Sequence, residues 1–404
     1  MKKDVLFLCQ FFYPEHNSSA TLPFDTAKYL AEVGMSVDVL CGYPKEYSTD
    51  KNVPGREEKD GVSIRRIGYL QLGRANKLGR LINYFSFTAS AMLRLFRLRK
   101  YKTVIVYSNP PVLPIVAVLG KMLFGTRIVF VAYDVYPEVA YASNSVRSGS
   151  VIDRGMKLIN KMMYKRVDCV VALTDEMRDY LLKTRPVLRE EQVVTVANWA
   201  HEKKSVPTPE AFARFGYTED QLIVSYFGNM GICQEMQTLA DAAVAMRDRS
   251  DVRFFFVGHG CKKPTLEKTF RELGLENVQM HDFLTGKDFE EAVAVASCCV
   301  VSLEVGLMGM CAPSKLYSYL QGGKPVLAIV EKGSYLESEV EDNAIGRAVS
   351  IGDVDGLVAA IDGLAADREA CRKMGERSRA LYESKYDREI GLAKYADTVR
   401  ALLS

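Results

Sequence analysis

The sequence predicts an α/β protein of two domains, each a mainly parallel sheet covered by helices on both faces. Three observations carry this. The chain has 404 residues, more than one ordinary core accommodates, which implies two domains of about 150–200 residues each. Short apolar runs alternate with helical patterns through both halves, the pattern of strands buried on two faces. A polar, proline-containing stretch, "VANWAHEKKSVPTPEAF", separates the two series.

In the first half, Val5 to Phe12 reads as a buried strand, Pro23 to Val33 as a helix stopped by Gly34, and Ser36 to Cys41 as a second strand. Further strands are expected at Val62 to Ile67, Val104 to Tyr107, Arg127 to Ala132, Cys169 to Leu173 and Val193 to Val196. The opening "MKKDVLFLCQFFYPE" imitates a signal peptide. Its apolar run is short, carries Asp4 and Gln10 and lacks a small-residue cleavage site, so it reads as the first strand. In the second half "LIVSYFG", "VRFFFVGHG", "VQMHDF", "CCVVSLE" and "KPVLAIV" are strand candidates with helices between most of them. A last helix, Asp387 to Leu402, places Ile390, Leu392, Tyr395, Ala396, Val399 and Leu402 so that one face is buried. The expected domains are therefore 1–198 and 199–386, facing a cleft, with 387–404 a terminal helix packing back on the first.

A net charge of +3 gives no reason to expect nucleic acid as a partner. The charge is nevertheless uneven, since no Asp or Glu occurs from Gly61 to Tyr133. Within that run the segment 73–102 joins Leu81, Ile82, Phe85, Met92, Leu93 and Phe96 to Arg74, Lys77, Arg80, Arg94, Arg97, Arg99, Lys100 and Lys102. A basic amphipathic helix of this kind suits an anionic membrane surface; the plainer alternative is a sheet-packing helix with charged ends. No run reaches the roughly 20 apolar residues of a membrane span. The nine cysteines are odd in number and form no CxxC pair, which favours reduced thiols in a cytoplasmic protein.

The chemistry concentrates where strands end. "SYFGNMGICQE" puts Gly228 and Gly231 between a strand and a helix, where backbone N–H groups can hold a phosphate. Its spacing is not the G-x-G-x-x-G of a dinucleotide site. "VGHGCKK" supplies Gly258 and His259 at a second such turn, with Phe283 and Leu284 at the end of the next strand as further ligand contacts. In "CAPSKLYSYLQGGKPV", Ser314 is the expected N-cap, Lys315 falls in the first turn and Ser318 one turn on. A cation there is disfavoured by the helix dipole unless an anion such as a diphosphate is near. On the other half, "YDVYPE" sets Asp134 and Glu138 beyond a strand, fit to orient an acceptor hydroxyl, and Glu15 to Ser19 form a polar loop after the first strand. The histidines at 16, 201, 259 and 281 lack ligand spacing, so no metal site is expected.

The order of "FLCQFFYPEHNSSATLPFDTAKYLAEVGMSVDVLCGYP", "YDVYPE", "VVALTDEM", "TVANW", "YFGNMG", "FFFVGHG" and "PSKLYSYLQGGKPVLAI" resembles retaining glycosyltransferases of family 4, which have the GT-B fold of two Rossmann-like domains. The chain looks most like the bacterial surface-polysaccharide subgroup typified by an N-acetyl-L-fucosamine transferase. The resemblance implies a UDP- or GDP-linked sugar donor on the second domain, an acceptor on the first, no metal or other cofactor, and a lipid-linked acceptor at the inner membrane face. Family 4 enzymes carry two glutamates before the glycine corner, and those positions are Met310 and Ser318 here. The usual diphosphate-gripping arginine and lysine correspond to Asn229 and Gln234, which leaves Lys315 as the substitute cation and Ser318 in the place of the ribose carboxylate. Two other readings fit the same architecture: a nucleotide-sugar epimerase, and a catalytically silent partner subunit.

Overall fold

The computed structural model describes residues 2–44, 52–73, 77–201 and 206–403. Arg74 of the basic segment and residues 202–205 of the expected linker lie outside the described residues. The chain divides into two compact units. One is Met1–Asn198 together with Gly309–Ala312 and Arg388–Ser404; the other is Trp199–Met308 together with Pro313–Asp387.

The first unit holds β1 (Lys3–Leu8), β2 (Val37–Gly42), β3 (Arg56–Lys59), β4 (Val62–Ile67), β5 (Tyr101–Tyr107), β6 (Arg127–Ala132), β7 (Cys169–Ala172) and β8 (Val193–Thr195). They form one sheet in the order β3-β4-β2-β1-β5-β6-β7-β8, parallel except for the β3–β4 pair. The central strands bury both faces, which is why they read as unbroken apolar runs. β3, "REEK", has no apolar residue and sits at an edge, where charge blocks further pairing; the sequence pattern does not reveal it. β1 ends at Leu8, short of the expected Phe12, although Cys9 to Phe12 stay buried and Cys9 N–H and the Gln10 carbonyl still bond to β2. The first helix runs Ser18–Glu32 and so begins before the expected Pro23, which lies inside it. Arg388–Leu403 buries Leu392, Tyr395, Ala396 and Val399 in this unit, and Arg388 pairs with Asp25 at 3.1 Å.

The basic segment is not one continuous helix. A helix, Lys77–Met92, gives way to a 3-10 turn, Leu95–Lys100, that carries Arg97, Arg99 and Lys100. Phe87, Ala91 and Leu98 pack into the core. Leu78, Phe85, Leu93 and Phe96 instead face solvent, Leu93 at 85% exposure, as do Met122 and Leu123 near the end of the helix Pro114–Phe124, where Phe96 meets Phe124 at 5.7 Å.

The second unit holds β9 (Leu222–Phe227), β10 (Val252–Val257), β11 (Val278–His281), β12 (Cys298–Ser302), β13 (Val326–Val330) and β14 (Gly346–Ser350). All pair in parallel, in the order β11-β10-β9-β12-β13-β14. β14 is the second edge strand that the sequence pattern does not reveal. The two parallel sheets make the protein an α/β chain of two Rossmann-like domains.

Candidate functional site

In the second sheet the winding reverses between β9 and β12, and open α/β sheets take ligands beyond the strand carboxyl ends at such a point. Four loops converge there, those following β9, β10, β11 and β12. The first two meet backbone to backbone. Met230 N–H donates to the His259 carbonyl at 2.6 Å, and Lys262 N–H donates to the Met230 carbonyl at 3.0 Å. Gly258, at φ 148°, has no room for a side chain, because a Cβ would lie 1.9 Å from the Gly228 carbonyl oxygen. Gly258→Ala therefore destabilises the unit by roughly 3 kcal/mol from backbone strain and loop separation, read as a lowered thermal midpoint.

This close approach changes the role expected of the glycine amides. Gly228 N–H donates to the Val257 carbonyl at 2.8 Å, and Gly231 N–H to the Gln234 side-chain oxygen at 3.1 Å. Neither is an unengaged phosphate donor; Gly231 becomes one only if Gln234 turns away. Asn229 accepts the Tyr226 hydroxyl on its carbonyl at 2.9 Å, and its side-chain nitrogen crowds Gly231. Asn229 and Gln234 thus shape the turn that in the resemblance carries two cations.

The cation comes from the loop after β12. Lys315 opens the helix Lys315–Gln321, and its Cε lies 3.6 Å from the position a Cβ on Gly228 would take. Its ammonium sits 4.0 Å from the Tyr226 ring centroid and donates to the Tyr226 hydroxyl. Burial pulls the amine down to about 7, since it has no ion pair among the described residues. Ser314 is not the expected N-cap. Its backbone is already helical and its side chain makes no cap bond, and the helix has only 7 residues, so the lysine rather than the dipole supplies the local positive charge. Ser318 lies half-buried one turn on.

Sequence reasoning misses two residues here. Lys262, present in "GHGCKK", ties three loops together by donating to the Gln234 carbonyl at 2.6 Å and pairing with Glu304. Tyr226 is a fully buried strand residue whose role shows only once Lys315 lies over it. Of the other expected contacts, His259 and Phe283 are exposed and meet edge to face at 5.3 Å, and Leu284 is half-buried beside them in sequence. An Asp-x-Asp is present at Asp353 and Asp355, but Asp353 caps a helix through Gly356 N–H at 2.9 Å. Among the described residues no three His, Cys, Asp or Glu side chains gather as metal ligands would.

In the first unit, Asp134 and Glu138 part company. Glu138 has both oxygens on Arg185, at 2.7 and 2.8 Å, an ion pair that engages the carboxylate expected to orient an acceptor. Asp134 follows β6, and its carboxylate has no hydrogen bond or ion pair among the described residues. Burial pushes it up to about 6. Its backbone is bridged to Cys311, and Val135 N–H donates to the Met310 carbonyl at 2.8 Å. Met310 packs against this unit's core, so the position that carries a glutamate in the resemblance is a packing position here. Glu15 is buried, and Ser18 opens the first helix.

Two domains built on parallel sheets, the second with a cation at its switch point that has no ion pair among the described residues, form an α/β architecture that comparison with known proteins narrows. Residues 24–199 match the family described as Glycosyl transferase 4-like domain, and residues 221–367 match Glycosyl transferases group 1. The chain belongs to the glycosyltransferases that combine these two domains in the GT-B fold. Among curated relatives it is 26% identical to the probable glycosyltransferase WbjE of Pseudomonas aeruginosa, over 76% of each chain. It is 22% identical to the putative colanic acid biosynthesis glycosyl transferase WcaI of Escherichia coli K12, over 96% of this chain and 98% of that one. Among solved structures, Anabaena Alr3699/HepE in complex with UDP-glucose superposes with a TM-score of 0.73 at 15% identity, covering 99% of this chain and 100% of that one.

Proposed function

We propose that the chain is a retaining glycosyltransferase of the bacterial surface-polysaccharide subgroup, moving a sugar from a UDP- or GDP-linked donor to a polyprenyl-diphosphate-linked acceptor. The observation that carries the reading is Lys315, a cation held without an ion pair among the described residues, against the Gly228 turn where a diphosphate can lie. The name of WbjE supports glycosyl transfer, that of WcaI supports polysaccharide synthesis, the HepE complex supports a nucleotide-sugar, and the Pro313-Ser314-Lys315 sequence supports the subgroup resembling the N-acetyl-L-fucosamine transferase. In the mechanism, Lys315 stabilises the charge that develops on the departing diphosphate, with Gly231 N–H available once Gln234 turns. The leaving diphosphate takes the acceptor proton on the same face, which retains the anomeric configuration, and Asp134 orients the acceptor hydroxyl. Lysine and backbone dipoles do this without a metal or cofactor. His259, Phe283 and Leu284 offer ring faces and edges to the base or sugar, and Ser318 a hydroxyl to the ribose.

The test is a screen of UDP-, GDP- and dTDP-sugars with a lipid-linked acceptor extract. Transfer with retained anomeric configuration is the expected result. Turnover of the donor to an epimer without acceptor, or no donor binding at all, overturns the reading in favour of the epimerase or the silent subunit.

We place the protein peripherally on the inner face of the cell membrane. No described helix is long and apolar enough to cross one. Support comes from the outward apolar residues Leu93 and Phe96 set among Arg94, Arg97, Arg99 and Lys100, and from the exposed Leu78 and Phe85 on the preceding helix, with each cation near an anionic leaflet worth about 1 kcal/mol. Arg94/Arg97/Arg99→Ser and, separately, Leu93/Phe96→Ser are each expected to reduce co-sedimentation with anionic vesicles by about tenfold or more. Sedimentation unchanged by both variants and by high salt removes the membrane assignment.

A further inference from the structure

The donor reading leaves one feature unexplained: a part-buried ammonium that faces an aromatic residue where a carboxylate is the usual counter-group. We propose that Tyr226 is the positioning residue of the donor site, its ring and hydroxyl holding the Lys315 side-chain nitrogen at the glycine turn until the diphosphate takes it, so that nucleotide binding draws in a proton. This rests on the reading of Lys315 as the diphosphate cation.

The geometry assigns the hydroxyl two tasks and leaves it satisfied. It accepts from Lys315 and donates to the Asn229 carbonyl at 2.9 Å, so one group fixes both the cation and the turn it serves. Tyr226 is 1% exposed, and burial keeps its phenol firmly protonated, so it remains a neutral donor. Neither acid of the neighbouring loops pairs with Lys315. Glu304 pairs with Lys262, and Glu235, which also bears on Tyr226 electrostatically, accepts from Gln237 N–H at 2.8 Å and Thr238 N–H at 2.9 Å through one oxygen. Tyr319, on the lysine's own helix, accepts from Phe227 N–H at 3.0 Å, and Ser302 lies on β12.

A neutral counter-group has two consequences. No carboxylate among the described residues pairs with the lysine, so binding breaks no ion pair there. The ammonium also gains its first full counter-charge from the ligand, so its affinity for a proton rises on binding. Burial sets the unliganded amine to about 7. Between pH 7 and 9 the protein therefore takes up a proton when it binds nucleotide.

The experiment is titration calorimetry with UDP, and with GDP in parallel, at pH 8 in two buffers of different ionisation enthalpy. At that pH the terminal phosphate, with a pKa of about 6, is already ionised and contributes no proton of its own. The wild-type chain is expected to take up close to one proton per nucleotide, with affinity falling as pH rises from 7 to 9. Tyr226→Phe keeps the ring and removes the hydroxyl; affinity is expected to drop by about tenfold and its pH midpoint to move down, because the ammonium has lost an acceptor. Lys315→Met is expected to abolish the uptake. Binding without proton uptake in the wild-type chain overturns the proposal without need of a variant. Unchanged affinity and midpoint in Tyr226→Phe, with Lys315→Met still impaired, overturns it and leaves the donor reading standing. Undiminished binding in Lys315→Met, or no binding of either nucleotide to the wild-type chain, overturns both.

Discussion

Lys315→Met lowers turnover of the transfer by about 10²–10³-fold while raising the stability of the fold. The first effect is the loss of the charge that meets the departing diphosphate, the magnitude typical of removing one group that stabilises a developing anion. The second follows from where the ammonium lies. Burial depresses the amine from its ordinary 10.5 to about 7, so the folded chain holds a proton there less readily than the unfolded chain does. The penalty is full below pH 7, fades between 7 and 10.5 and is absent above. Methionine has similar length and no charge, and removing the ammonium relieves the penalty. Allowing for the part of the side chain that solvent reaches, the gain is about 1–3 kcal/mol at pH 6 and shrinks toward zero near pH 10. Thermal melts across that range, read beside transfer assays, check both halves. A variant that is inactive and also less stable at pH 6 points to fold damage and sinks the assignment of Lys315.

The parallel sheets are legible in sequence because a strand covered on both faces can only be apolar. β3 and β14 escape because an edge strand has to satisfy one neighbour and solvent, and charged or mixed residues do that. The site divides the same way. Glycine turns after strands are legible as turns, yet whether their amides are available depends on which carbonyl the next loop delivers. At Gly228 that carbonyl belongs to Val257, a partner that pattern reading along one segment cannot supply. Asp134 and Glu138 look alike beyond one strand; what separates them is Arg185, 47 residues from Glu138. Lys315 is legible as an oddity in a first helical turn. Its partner Tyr226 is not, since "LIVSYF" presents it as one more core residue. The common cause is that sequence spacing reports periodic burial well and long-range polar pairing hardly at all.

Asp134→Asn provides the mirror image of the lysine variant. Its carboxylate stands at a strand end without a partner among the described residues, and burial raises it from 3.8 to about 6. An unpaired, strongly perturbed group at such a place is what a functional site requires and what stability alone does not. Ionised, it accepts the acceptor's hydroxyl proton in a hydrogen bond; the amide does so more weakly, and turnover is expected to fall by about 10²-fold. The wild-type rate should also decline as pH drops through about 6, and the Asn variant should lose that limb. For stability the sign is opposite to that of Lys315. A raised carboxylate adds no penalty below pH 3.8, where both folded and unfolded chains hold the proton, and the full penalty above 6. Replacing the acid by its amide is therefore expected to stabilise the fold by about 1–3 kcal/mol at pH 8 and by almost nothing near pH 4. Since the lysine variant gains most at low pH and the aspartate variant at high pH, the two melting profiles cross. General loosening of the fold cannot produce that crossing, because it lowers stability at every pH. Parallel profiles, or wild-type turnover in the Asn variant, remove Asp134 from the acceptor site.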